Sequence, residues 1–303
     1  MLAQIFETFV NWLSAFLFFN IGGFPFIVLW LIVAAFFFTF YLRGVNFLLF
    51  RHALQIVSGK YDKPDATGEV SHLQALFSAI AATVGLGSIA GVSVAVAIGG
   101  PGVVFWIVIA GFLGMATKFA EVTLSMCYRE ADATGKIFGG PFQYIRKGLA
   151  DIGLPKAGKF LAVVFAVFCL GGALGGGNMF QSNQTVKVMT TTFPTLAGYE
   201  WIIALLFALL VFSVLVGSIK RIARVAEKIS PLKGILYLIC AVIIVGANID
   251  KLPDTLMLIM QDAFTGNAAA GGFIAMLAMA FKRSSFANEA GLVLVTDIKH
   301  VRS

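Results

Sequence analysis

The chain has 303 residues, of which 59% are hydrophobic and only 12% charged, with a mean hydropathy of +0.92. That balance excludes an ordinary soluble domain and makes the chain an all-α polytopic membrane protein: several apolar runs reach the roughly 20 residues that cross a bilayer as helix, and the alternation of a membrane barrel is absent. The net charge of +7 does not bring in nucleic acid, because the basic residues sit in short connections between apolar runs and not on one folded face.

Residues 2–19 place Leu2, Ile5, Phe6, Phe9, Leu13 and Leu17 at helical spacing, so residues 1–22 read as an interfacial N-terminal helix. Glu7, Thr8 and Asn11 interrupt its apolar stretch, and no cleavable signal peptide is read there. A first span occupies 23–43, bordered by Tyr41 and Arg43. A loop with an amphipathic piece (Val45, Leu48, Leu49, Leu54, Ile56) and a Lys63-Pro64-Asp65 turn follows.

The second span, about 74–98, carries Thr83-Val84-Gly85-Leu86-Gly87-Ser88-Ile89-Ala90-Gly91. At about 1.5 Å per residue Gly85 to Ser88 lie about 17 to 21 Å in from its start, near the middle of a ~30 Å hydrocarbon core. They either open a helix break whose freed amides and carbonyls hold a ligand, or let another helix pack closely. A dinucleotide fingerprint is excluded, since no strand precedes them.

The third span, about 102–128, carries Lys118 and Glu121 three residues apart, the spacing of a structural ion pair. In the basic connection 129–159, Phe142–Leu149 reads as a short interfacial helix. The fourth span starts near Phe160, passes Gly171-Gly172 and Gly175-Gly176-Gly177, whose spacing predicts close approach of another helix, and turns polar at Asn178 and Gln181. Those two side chains either touch a substrate or make interhelical hydrogen bonds. The fifth span is 201–216. A basic connector 219–228 precedes Ser230-Pro231, which reads as cap and first position of a sixth span, 232–247. Thr255–Phe264 reads as a short outer helix. The apolar segment from Gly271 to Phe281 is too short to cross and is interrupted by Lys282-Arg283-Ser284-Ser285-Phe286-Ala287-Asn288-Glu289-Ala290-Gly291 before Leu292–Val295, the pattern of a broken transporter helix.

The connections 43–72, 129–159 and 219–233 hold 15 of the 22 Lys and Arg residues, whereas the opposite-side connections offer Lys187 and Lys251. The positive-inside rule makes those three cytoplasmic and puts the N-terminus outside the cell membrane. Cys127, Cys169 and Cys240 lack metal spacing and read as buried free thiols. No H-E-x-x-H, paired C-x-x-C or G-x-S-x-G motif supports an enzyme.

The runs Ala82 to Val92, Gly99-Gly100-Pro101-Gly102 with Phe105-Trp106, Gly114 to Glu121, Gly139-Gly140-Pro141, Gly177-Asn178-Met179, Lys220 to Lys228 and Phe286 to Gly291 together resemble the alanine or glycine:cation (sodium) symporter family. The resemblance covers roughly residues 24–292. It implies a leucine-transporter-like inverted-repeat fold: an extra N-terminal span, a first five-helix repeat at 74–248 and the start of a second repeat at 249–303, with the chain reading as C-terminally truncated. It further implies sodium-coupled symport of alanine or glycine. Substrate falls to Thr83, Gly85, Leu86, Gly87, Asn178 and Gln181, and sodium to Ser88 and Gly85.

The family usually has asparagine where this chain has Ser88, and a Gly-Ser-Ala-Pro-Ile-Ala-His-like run where it has Leu292 to Ile298. No cofactor is implied beyond sodium as coupling ion. The expected partners are a small neutral amino acid, sodium and the lipid bilayer, with a second chain as one source of the missing helices. The alternative is an inactive truncated remnant or a non-transporting accessory subunit.

Overall fold

The computed structural model describes residues 2–22, 24–61, 71–131, 137–265 and 272–289. The Lys63-Pro64-Asp65 turn and the segment from Ala290 through Leu292–Val295 lie outside them. In chain order the elements are α1 (Leu2–Leu17), a two-residue hairpin β1 (Asn20–Ile21) and β2 (Phe24–Pro25), α2 (Phe26–Tyr41), α3 (Val45–Leu48), α4 (Phe50–Val57), α5 (His72–Thr83), α6 (Ala90–Gly99) and α7 (Val103–Cys127). A second hairpin, β3 (Glu130–Ala131) and β4 (Ile137–Phe138), leads to α8 (Pro141–Asp151) and α9 (Pro155–Gly172). A π-helical stretch, Ala173–Met179, joins α9 to α10 (Phe180–Thr192), and α11 (Glu200–Leu215), α12 (Ser218–Ala247), α13 (Leu252–Thr265) and α14 (Gly272–Asn288) complete the series.

Three helical runs among the described residues are long and apolar enough to cross a membrane: Val103–Cys127, Pro155–Thr192 and Lys220–Ala247. Helices α2 and α11 are 16 residues each. At about 1.5 Å per residue they reach only about 24 Å, so their flanking residues must complete a crossing. The expected second span is present as two shorter helices, α5 and α6.

The chain folds as two compact units. The first contains residues 1–52, 83–120 and 236–290. Its centre is α14: Met276 and Ala280 cluster with Ala95 of α6 and Val103 of α7, and Phe281 clusters with Val28 of α2 and Ala110 of α7. The turn Gly100-Pro101-Gly102 ties α13 to α7: the Gly102 amide donates to Asp262 Oδ2 (2.7 Å), and Trp106 Nε1 donates to the Ala263 carbonyl (2.9 Å). A Cβ on Gly102 would come within 2.5 to 2.7 Å of the Asp262–Ala263 backbone, so glycine is the residue that permits this approach.

Among the described residues the second unit contains 53–61, 71–82, 121–131 and 137–235. Helix α8 packs along α9, with Gly158 under the Arg146 and Ile145 carbonyls. Glu130 forms an ion pair with Lys147, which holds its carboxyl below the usual range, and burial pushes the Tyr144 phenol up to about 12 with the Glu121 charge adding to the effect. The first half of α12 lies along α5. Gln74 Nε2 donates to Glu227 Oε2 (3.0 Å), Ser230 Oγ to the Phe77 carbonyl (2.9 Å) and Lys233 Nζ to the Ala81 carbonyl (3.0 Å).

Four expectations are corrected. Ser230-Pro231 does not start a helix: α12 runs unbroken through Pro231, and Ser230, instead of capping, faces α5. Proline is tolerated inside membrane helices where neighbouring groups compensate the lost backbone bond. Among the described residues no second helix comes close at Gly171, Gly172 or Gly175, where an added Cβ would meet nothing within 4 Å. They sit instead where the helix widens to π geometry, which residues without side chains permit. Lys282 to Asn288 does not interrupt the last helix, and its first three polar side chains find lateral contacts. Lys282 lies over the Phe18 ring (4.7 Å), Arg283 lies against Gly91, and Ser284 is buried near Gly111. Cys127 and Cys240 are free but exposed, not buried, on apolar helices whose outer faces meet lipid in a membrane protein.

Gly158→Ala, which sets a Cβ 2.7 Å from the Arg146 carbonyl oxygen, is expected to destabilise the α8–α9 pair by about 1 to 3 kcal/mol. Gly234→Ala on the open face of α12 is expected to be neutral or slightly stabilising. Thermal unfolding of both variants in detergent checks the contrast.

Candidate functional site

The interruption between α5 and α6 spans residues 84–89 and falls within the glycine-rich run. Leucine, isoleucine and alanine favour helix on both sides, while Gly85 and Gly87 each weaken it by up to about 1 kcal/mol relative to alanine. The segment is a loosened coil and not an extended strand. The Ile89 amide donates to the Gly85 carbonyl (2.9 Å), and the Gly91 amide reaches five residues back to the Leu86 carbonyl (2.8 Å). Neither Gly85 nor Gly87 has a positive φ. Their contribution is low helix propensity and absent bulk, not left-handed geometry.

Ser88 holds this turn together. Its hydroxyl donates to the Thr83 carbonyl, and its oxygen accepts from the Gly85 amide (3.2 Å). Thr83, Gly85 and Ser88 are thereby brought into one hydrogen-bonded knot, with Leu86 linked through the Gly91 amide. Ser88 retains one lone pair, which suits a hard cation that prefers oxygen ligands.

Arg283 is the functional candidate that sequence reasoning passed over as part of an interrupting polar run. A Cβ added at Gly91 would sit 3.6 Å from Arg283 Cδ, from its Nη1 and from the Leu86 carbonyl oxygen. The guanidinium therefore lies against the first turn of α6, beside the interruption. Its Nε is buried without a hydrogen-bond partner. The signal was available: a permanent charge inside an apolar segment is a functional marker by default.

The far end of α14 is fastened to α7. Glu289, at φ +48°, turns the chain out of the helix, and Lys118 Nζ donates to its carbonyl (2.9 Å). The Asn288 amide lies against Gly111 and Gly114, where a Cβ on Gly114 would collide with it. Lys118 thus caps a helix C-terminus, where a cation also complements the helix dipole. Glu121 follows one turn later on α7 and is buried. Asn178 and Gln181 belong to the second unit and are exposed, Asn178 in the π-helical stretch and accepting from Ser182 Oγ (3.3 Å), and Gln181 in α10. No group of three or more His, Cys, Asp or Glu side chains suited to a metal occurs among the described residues.

A profile of the sodium:alanine symporter family matches residues 3–295. The sodium/alanine symporter AgcS of Methanococcus maripaludis is 36% identical over 272 residues, covering 88% of this chain and 58% of that protein. An uncharacterised transporter of Haemophilus influenzae is 39% identical over 74% of this chain and 48% of its own length. The amino-acid carrier protein AlsT of Bacillus subtilis is 31% identical over 84% of this chain and 52% of its own length. The chain spans about half the length of these curated relatives.

Ser88→Ala removes both hydrogen bonds that close the turn, each worth about 1 kcal/mol. Amide hydrogen exchange across residues 83–91 is expected to accelerate about five- to thirtyfold, while exchange in α8 stays unchanged.

Proposed function

The chain belongs to the sodium:alanine symporter family, and on that premise we propose that it takes part in sodium-coupled symport of a small neutral amino acid, alanine or glycine, by alternating access. The observation that carries this reading is the interruption at residues 84–89, which falls within the family match and inside an apolar helix pair. A helix opened in mid-membrane offers amides to a carboxylate and carbonyls to a cation, and hydrocarbon supplies no competing water.

On this reading the backbone of Thr83, Gly85, Leu86 and Gly87 receives the substrate, and Gly85 and Ser88 supply oxygen to sodium. Asn178 and Gln181 are assigned to the substrate as polar side chains in the fourth span. The concentration of Lys and Arg in three connections supports cytoplasmic placement of those connections and an external N-terminus in the cell membrane. The leucine-transporter-like repeat is part of the same proposal: α5 with α6 opens the first repeat and α14 the second.

The chain's share of its relatives' length makes transport by this polypeptide alone the point to test. Purified protein reconstituted into liposomes is given an inward sodium gradient and labelled alanine. Sodium-dependent accumulation that collapses with a sodium ionophore is the expected result, with glycine competing. Correctly inserted protein that accumulates neither amino acid would sink the transport reading and leave the non-transporting one.

A further inference from the structure

We propose that Arg283 is the recognition residue for a carboxylate bound beside the 84–89 interruption. The inference rests on the transport reading and specifies how its substrate is selected.

Arginine keeps its charge at every accessible pH, so a guanidinium in an apolar helix needs either water or a counter-anion. The structure gives the Arg283 Nε neither: the atom is buried and no described residue accepts its proton, while the side chain as a whole is part-exposed. A buried donor left unpaired costs about 1 to 3 kcal/mol, and more when the group is charged. Arg283 Cδ and Nη1 lie against α6 at Gly91.

The location supplies the chemistry. Gly91 is in the first turn of α6, where the helix dipole presents its positive end. An anion there meets a permanent cation and the dipole together, with no acidic side chain of the described residues paired to either. Neighbouring charges do not compete: Lys282 is turned onto Phe18, and Lys118 is bound to the Glu289 carbonyl. A planar carboxylate matches the guanidinium's parallel donors, the pairing in which arginine surpasses lysine. Carbonyls at the other side of the loosened turn are left to the substrate ammonium or the cation.

The test is competition binding at fixed sodium, with labelled alanine displaced by unlabelled alanine or by alaninamide, which keeps the ammonium and methyl but replaces the carboxylate with a neutral amide. Wild-type protein is expected to prefer alanine. Arg283→Gln is expected to weaken alanine binding about 10- to 100-fold, the range of a charge-assisted hydrogen bond, and to draw the alanine-to-alaninamide ratio towards one. Arg283→Lys, which keeps the charge without the fork, is expected to fall between. The ratio does not depend on how much of each variant folds. If Arg283→Gln weakens both ligands equally, the arginine serves only the architecture and the inference is overturned, as it is if alanine affinity is unchanged. Wild-type protein that binds no alanine would instead bring down the transport reading, and this inference with it.

Discussion

A hydrocarbon core leaves no water for an opened backbone, so every carbonyl and amide released when a membrane helix is interrupted has to find a partner in the protein. The described structure meets this demand with side chains sent to helix ends. Ser88 takes the Thr83 carbonyl within the turn itself, and Lys233 reaches the Ala81 carbonyl at the end of α5. Lys118 takes the Glu289 carbonyl where α14 stops. Two of these donors are lysines on other helices, each setting a positive charge against the negative end of a helix dipole.

The same requirement explains which parts of the fold were legible in the sequence. The interruption at 84–89 was, because glycines at mid-span have a local and strong effect on helix propensity. The limits of α7 and α11 were close for a similar reason, since long apolar runs with aromatic or basic borders leave little choice. Pro231 misled because proline is read locally as a helix start, whereas α12 runs through it, with the preceding Ser230 donating to the Phe77 carbonyl of α5. The polar run after Phe281 misled in the opposite direction. Lys282 lies over Phe18, Arg283 lies against Gly91 and Ser284 is buried, environments that only the packing of α14 on α6, α7 and the end of α1 creates. Polarity read along the chain says that a residue needs a partner, not whether that partner is solvent or another helix.

The candidate site divides in the same way. Thr83, Gly85, Leu86 and Ser88 are close in sequence, and their joining follows from a single turn. Arg283 stands nearly two hundred residues from Gly91 and becomes visible as part of the site only when α14 is laid along α6. Glycine spacing in the fourth span carried a real signal, yet its outcome was a π-helical widening at Ala173–Met179 and not a close helix contact. Small residues permit both results, and sequence spacing does not distinguish them.

Serine at position 88, where the family usually has asparagine, bears on how a cation is held in the proposed mechanism. An asparagine amide both donates and accepts, so it can close the turn with its nitrogen and keep a carbonyl oxygen with two lone pairs for the ion. Serine has one oxygen for both duties. Here that oxygen gives its proton to Thr83 and takes one from Gly85, leaving a single lone pair on a shorter arm. A cation at this turn therefore depends more on backbone carbonyls than on the side chain. Sodium tolerates such a set, because it binds oxygen by charge and not by strict geometry, but carbonyls hold their positions only while the turn is intact. In the proposed site the residue that closes the turn is also the one assigned to the ion, so on that reading folding of the site and grip on the cation are coupled through one hydroxyl group.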